Sequence, residues 1–120
     1  IICISSICGL ESINNAPIEY SVAKSALNSY VKLISKSLGN NKIRINAIAP
    51  GNIFFKGSTW EKKIKLNKKK TLNYISENVP LKKLGDPEDI SDLCLYLSSD
   101  KSKFITGSIF TVDGGQTKKF

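Results

Sequence analysis

The sequence predicts an α/β fold built on a parallel sheet, because two strand-like segments are joined by one long helical segment. Residues 1–5 are a short apolar run that ends in two serines, as a buried strand does before a polar loop. A helix is predicted to begin near residues 17–20 and to end at Gly39, where Gly-Asn-Asn is a strong stop signal. Residues 43–49 form the second strand and stop at Pro-Gly. A right-handed crossover then brings the carboxyl ends of both strands to one edge of the sheet.

The second half of the chain predicts further helices and a last strand. Residues 52–80 have weaker helical spacing and are expected to form one or two helical pieces broken by a lysine run. A helix should start at Asp86, which can cap it, with Pro87 in its first turn. Residues 105–112 alternate between apolar and other side chains and run into Asp-Gly-Gly, which predicts a strand followed by a turn.

The segment 52–80 follows the carboxyl end of a strand, where a ligand would bind. We therefore expect it to be an insertion that forms a substrate lid. A variable surface excursion without a role in binding fits the sequence equally well.

The composition is that of an ordinary soluble globular domain, with 120 residues, 41% hydrophobic and 23% charged. Three cysteines without a Cys-x-x-Cys pair favour neither a disulfide framework nor a zinc site, and they predict a reducing cytoplasm. The chain has no histidine, so histidine-dependent triads and histidine-rich metal sites are excluded, and no metal is expected. Its apolar runs are too short to cross a bilayer, so no membrane is expected either.

A net charge of +8 comes largely from lysines at positions 62–70. Such a run can attract phosphate or nucleic acid. A solvated helix face or loop is the simpler interpretation, because no aromatic residues that could stack on bases alternate with these lysines. Nucleic acid is therefore not an expected partner.

Tyr20 and Lys24 are four residues apart in the predicted helix, so their side chains should lie on the same face. An adjacent ammonium favours the ionised form of a phenol, which makes Tyr20 a candidate general acid and base. From these two residues alone, a half-buried tyrosine beside a solvated lysine is the favoured interpretation.

Five sequence blocks occur in the order and close to the spacing of one known family: Ile-Ser-Ser-Ile-Cys-Gly at 4–9, Tyr-Ser-Val-Ala-Lys at 20–24, Ile-Asn-Ala-Ile-Ala-Pro-Gly at 45–51, Gly-Asp-Pro-Glu-Asp-Ile at 85–90, and Ile-Thr-Gly…Val-Asp-Gly-Gly at 105–115. Together they resemble the short-chain dehydrogenase/reductase family, with only residues 56–80 outside the resemblance. It implies a Rossmann-type doubly wound parallel sheet, with residues 1–120 as its C-terminal part: about three strands with flanking helices. It also implies NAD or NADP as cofactor, and hydride transfer to or from a carbonyl or alcohol.

The resemblance assigns roles to three catalytic residues. Ser6 would hold the substrate oxygen by a hydrogen bond, while Ser5 would bond only within its loop. Tyr20 would give a proton to the substrate oxygen or take one from it. Lys24 would assist the phenol and hydrogen-bond the nicotinamide ribose, so Tyr20 and Lys24 also count as cofactor-binding residues.

The same resemblance places Pro50 and Gly51 at a turn beside the nicotinamide, and the main chain of Ile53 at its carboxamide. The family commonly has threonine four positions after that glycine, but here the residue is Phe55. In this chain, the hydroxyl contact that the family's threonine makes would have to come from Ser58 or Thr59.

The family's glycine-rich phosphate loop is not found in these 120 residues, and the chain opens in mid-strand without methionine. We therefore expect a longer enzyme, of which residues 1–120 alone would bind cofactor poorly and be inactive. The alternative is a truncated or non-catalytic relative that acts as a binding or scaffold protein. The resemblance further implies a homo-oligomer, dimer or tetramer, with contacts through residues 18–38 and 105–112. A 3-oxoacyl carrier-protein thioester and a phosphorylated or nucleotide-linked sugar both remain candidate substrates.

Overall fold

The computed structural model describes residues 1–118, and its centre is a sheet of three parallel strands. The strands are β1 (Ile2–Ile4), β2 (Asn46–Pro50) and β3 (Ile109–Val112), in the spatial order β1-β2-β3. Cys3 lies opposite Ala47, and Ala49 lies opposite Thr111. The predicted parallel α/β sheet is therefore confirmed, and its carboxyl ends share one edge.

Residues 1–118 also form four α-helices: α1 (Ile18–Asn40), α2 (Thr59–Leu66), α3 (Lys68–Asn78) and α4 (Pro87–Ser98). Short 3₁₀ turns cover Ile7–Gly9 and Asp100–Ser102. The predicted start of α4 is confirmed by a reciprocal cap: the Asp86 carboxylate accepts from the Asp89 N–H at 3.2 Å, and that of Asp89 accepts from the Asp86 N–H at 3.0 Å.

Residues 52–80 hold two helices, as expected, and the break between them lies within the lysine run at 62–70. The break is at Asn67, whose N–H closes α2 on the Lys63 carbonyl at 2.9 Å. Its side-chain oxygen accepts from the Lys70 N–H at 2.9 Å and thereby caps α3. The lysines at 68–70 consequently form the first turn of α3.

Two predicted strands begin later than the sequence suggested. Residues 43–45 and 105–108 lie next to each other, but hydrogen bonds that involve side chains replace part of the main-chain hydrogen bonds expected between two strands. The Ile45 N–H donates to Thr106 Oγ1 at 3.1 Å, and Asn46 Nδ2 donates to the Ile105 carbonyl at 3.0 Å. Gly107, with φ of 67°, also has a conformation that no β-strand allows. The regular strands therefore start at Asn46 and Ile109.

The core lies on both faces of β2. Val31 of α1 is buried against Ile45 and Ala47, and the partly buried residues around them are Cys3, Leu27, Ile34, Leu38 and Ile109. Alternation along the strand turns Ile48 to the opposite face, the side of α4, which contacts β1 and β2. None of the helices in residues 1–118 is long and apolar enough to cross a membrane.

The turn after β3 is fixed by the carboxylate of Asp113. It accepts hydrogen bonds from the Thr117 N–H at 2.8 Å, the Thr117 hydroxyl at 2.7 Å and the Gly115 N–H at 2.9 Å. Partial burial raises the pKa of Asp113, but hydrogen bonds from Thr117, Gly115 and Gln116 outweigh that effect and hold the pKa below its ordinary value.

Because the folded state lowers this pKa, we expect Asp113 to stabilise the fold above about pH 4, the ordinary range of an aspartate. The contribution is lost as the pH falls through the lower, folded value. Asp113→Asn should therefore lose stability at neutral pH and depend less on pH in the acid range. Urea unfolding of the full-length protein at neutral and acid pH measures both effects. Asp92→Asn, on the exposed side of α4, is the matched control. An Asp113→Asn variant with the wild-type pH dependence would contradict the assignment.

Candidate functional site

An open cleft of about 480 Å³ lies at the carboxyl edge of the sheet, between the ends of β1 and β2 and the start of α1. We call it the first cleft. Its lining includes every residue expected at the site: Ser6, Tyr20, Lys24, Pro50, Gly51 and Ile53. Ile90 and Cys94 of α4 add an apolar wall.

Ser6 follows β1 directly and is 7% exposed. Its Oγ accepts a hydrogen bond from the Cys8 N–H at 3.2 Å, so the serine caps the short 3₁₀ turn. That contact occupies the oxygen as an acceptor and leaves the hydroxyl proton able to donate to a ligand. The Ser5 hydroxyl donates to the Lys24 carbonyl of α1 at 3.4 Å, and not to a group of its own loop as expected.

Tyr20 and Lys24 lie side by side on the first turns of α1. The Lys24 ammonium donates to the Ile4 carbonyl at 2.9 Å and lies 5.6 Å from the centre of the Tyr20 ring. This carbonyl belongs to the last residue of β1, so the strand holds the cation next to the phenol. Tyr20 is 44% exposed, and its hydroxyl has no hydrogen-bond partner within residues 1–118. The phenol can therefore exchange a proton with a bound molecule.

A close backbone contact joins the Ser6 loop to α1. A Cβ on Gly9 would lie 2.6 Å from the Lys24 carbonyl carbon, so only glycine fits there. Asn28, 8% exposed, donates from Nδ2 to the Gly9 carbonyl at 3.1 Å. Asn28 was not predicted as a site residue, although a polar residue one helical turn after Lys24 and next to the apolar Leu27 indicates one. These contacts fix Ser6 relative to Tyr20.

Gly51 lies against the turn that Asp113 organises. A Cβ at Gly51 would be 2.7 Å from the Asp113 Cβ. Beyond it, the main chain pairs with Gly85: the Phe54 N–H donates to the Gly85 carbonyl at 2.8 Å, and the Gly85 N–H donates to the Asn52 carbonyl at 2.9 Å. Both bonds flank Ile53, whose own N–H and C=O have no partner within the described part of the chain. They can therefore bind a polar group in the first cleft.

Phe55 lines the first cleft, at the position where the family commonly has a threonine hydroxyl. Neither Ser58 nor Thr59, the two replacements suggested by the sequence, lines the first cleft. The Ser58 oxygen accepts from the N–H groups of Glu61 at 3.1 Å and Phe55 at 3.3 Å, and so caps α2. Thr59 lines a different cleft.

That second cleft, of about 420 Å³, lies on the other side of Tyr20. Ser6, Tyr20 and Gly51 line both clefts. The far wall of the second cleft comes from Trp60 and Lys63 of α2 and Tyr74 of α3. Tyr20 and Ser6 therefore stand at the seam between two clefts, one bordered by α4 and the other by α2 and α3.

Comparison with known protein families gives a match over residues 1–117 to the family described as enoyl-(acyl carrier protein) reductase. The chain is 40% identical to the 3-oxoacyl-(acyl-carrier-protein) reductase FabG of Chlamydia trachomatis over 115 residues, which are 96% of this chain and 44% of that protein. It is 36% identical to the isoepoxydon dehydrogenase patN of Penicillium expansum, over 92% of this chain and 42% of that protein.

Solved structures of a dehydrogenase and a reductase also superpose on this chain. A 4-hydroxyisoleucine dehydrogenase complexed with NADH superposes with a TM-score of 0.86 at 35% identity, over 98% of this chain and 46% of that one. The NADPH-dependent reductase YwfH, involved in bacilysin biosynthesis, superposes with a TM-score of 0.87 at 28% identity, over 100% and 47%. The predicted Rossmann-type sheet is thereby confirmed. The chain spans less than half the length of these four relatives.

Proposed function

The chain belongs to the short-chain dehydrogenase/reductase family, and from this premise we propose that the full-length protein is an NAD- or NADP-dependent oxidoreductase. Its substrate is a small carbonyl compound or the corresponding alcohol. The observation that carries this proposal is the position of Tyr20 and Ser6, whose side chains line both clefts. A proton donor at such a seam can serve a substrate on one side while a hydride carrier occupies the other.

The residues of the first cleft fit a nicotinamide. The unpaired main chain of Ile53 offers one donor and one acceptor, which match the carboxamide. The Lys24 ammonium can donate to a ribose hydroxyl as well as to the Ile4 carbonyl. The apolar wall from Ile90 and Cys94 suits the flat ring. When bound, the cofactor supplies the hydride for reduction or accepts it in oxidation.

Proton transfer belongs to the chain's own residues. In reduction, Tyr20 Oη donates its proton to the substrate oxygen as negative charge develops there. The Ser6 hydroxyl donates a hydrogen bond to the same oxygen, and the Lys24 ammonium stabilises the phenolate that remains. In oxidation the phenolate removes the hydroxyl proton. Because Tyr20 is 44% exposed, solvent can restore its proton state between turnovers.

The segment 52–80 is the substrate lid in this proposal, since α2 and α3 supply the far wall of the second cleft. In this proposal, residues 1–120 form the C-terminal portion of the cofactor-binding domain. The main loop that binds the cofactor's phosphates belongs to a segment outside them. By themselves these residues bind cofactor poorly and do not turn substrate over.

The full-length protein is proposed to be a cytoplasmic homo-oligomer. The outer face of α1 supports subunit contacts, because Ile18, Val22 and Leu33 are all exposed along it. The three free cysteines suit a reducing compartment.

Cofactor binding and turnover test the proposed function. The full-length protein is mixed with NADH or NADPH and a panel of carbonyl compounds, and the absorbance of the reduced nicotinamide is followed. We expect binding of at least one cofactor and its oxidation by at least one compound of the panel. Binding of neither cofactor would contradict the proposal and favour a non-catalytic relative with a scaffold role.

A further inference from the structure

The second cleft contains a cluster that the proposed mechanism does not use: Trp60, Lys63 and Tyr74. We propose that this cluster makes the protein selective for substrates that carry a carboxylate, which Lys63 binds while the two aromatic rings pack on the adjoining hydrocarbon. The inference rests on the proposed function and specifies its substrate class.

Lys63 is the only residue with a charged side chain among the described residues that line the second cleft. Its ammonium lies 4.3 Å from the centre of the Trp60 ring, one helical turn away on the same face of α2. The ring holds the cation without neutralising it. Lys65, on the same helix, is instead paired with Glu61 at 2.9 Å, and no acidic side chain pairs with Lys63 in the described part of the chain. Lys63 is therefore free to bind an anion.

A stacking contact and a hydrogen bond hold the two aromatic rings of the second cleft in place. Trp60 and Tyr74 are stacked with ring centres 5.7 Å apart and planes 27° from parallel. Gln116, 6% exposed, connects Tyr74 to the site: its Nε2 donates to the Tyr74 hydroxyl at 3.5 Å, and its Oε1 accepts from Asn52 Nδ2 at 2.7 Å. Asn52 follows Gly51 directly, so the wall and the seam are linked by this short chain of contacts.

The charge and size of the second cleft favour a carboxylate. One ammonium balances a single negative charge, whereas a phosphate dianion would keep an uncompensated charge against two aromatic rings. A volume of about 420 Å³ holds a small molecule whose carbonyl is at Tyr20 and whose acid group is at Lys63. The aromatic rings favour an aliphatic or aromatic spacer over a polar sugar.

Paired substrates test this inference in the full-length protein. Short aliphatic and aromatic keto acids are each compared with their methyl esters, which remove the negative charge and add one methyl group. We expect the wild-type protein to prefer the acids by about tenfold or more in kcat/KM, the range of one charge-assisted hydrogen bond. Lys63→Gln should raise KM for the acids by about tenfold and change the ester kinetics by less than about twofold.

Lys62→Gln is the matched control, because it removes the same charge from the adjacent position, outside the second cleft. It should leave both substrate series unchanged. Equal use of acids and esters by the wild-type protein, or equal behaviour of the two lysine variants, would overturn the carboxylate site and leave the proposed oxidoreductase intact. Failure of the wild-type protein to reduce any carbonyl compound would remove the proposed function and this inference with it.

Discussion

Tyr20→Phe is expected to lower kcat by about a thousandfold, within the range that general acid–base catalysis contributes. The substitution removes one oxygen and keeps the ring, so the contact between the Lys24 ammonium and the ring is retained. The Tyr20 hydroxyl has no hydrogen-bond partner within residues 1–118, so its loss should not change stability by more than about 0.5 kcal/mol. Turnover and urea unfolding of the full-length protein measure the two effects separately.

Tyr30→Phe is the matched control for this prediction. Tyr30 is exposed on the same helix, α1, and lines neither cleft. Removal of its hydroxyl should leave kcat unchanged. A Tyr20→Phe variant with wild-type kcat would show that another group transfers the proton.

Gly9→Ala is expected to have the largest effect on the structure of the site. The new Cβ would lie 2.6 Å from the carbonyl carbon and 2.8 Å from the carbonyl oxygen of Lys24, and neither backbone atom can move without moving α1. We expect about 2 kcal/mol lower stability, as overpacking costs elsewhere. A shift of the Ser6 loop relative to Tyr20 should also lower kcat/KM by about a hundredfold. Unfolding and steady-state kinetics measure both.

Gly39→Ala provides the control, because nothing lies within 4 Å of a Cβ at Gly39. Gly39 is inside α1, where alanine is the better helix former, so this variant should gain up to about 1 kcal/mol and keep its activity. If Gly9→Ala matched it in stability and turnover, the contact between the Ser6 loop and α1 would have no role in the site.

Periodicity and stop signals in the sequence were sufficient to predict the strand, helix and strand that carry the site. Helix α1 ends within one residue of the predicted Gly39, because its apolar spacing and its stop signal agree. The starts of β2 and β3 were less predictable. Hydrogen bonds that involve the side chains of Thr106, as acceptor, and Asn46, as donor, replace part of the ladder, and they join residues about 60 positions apart.

The position of the site residues was predictable for a similar reason. The βαβ rule brings the ends of β1 and β2 together, and the order of the sequence blocks adds Pro50, Gly51 and Ile53. Their chemical roles stay predictions. The second cleft could not be predicted, because its walls meet only in the folded chain. Tyr74 and Gln116, for example, are 42 positions apart, and neither belongs to a recognisable motif.

The central claim is that Tyr20 transfers a proton at the seam between a cofactor cleft and a substrate cleft. A crystal structure of the full-length protein with its nicotinamide cofactor bound tests this claim most directly. We predict that the nicotinamide ring lies in the first cleft beside Gly51 and Ile53, with the Tyr20 hydroxyl open to the second cleft. A nicotinamide ring bound outside the first cleft, or a Tyr20 hydroxyl covered by protein, would contradict the claim.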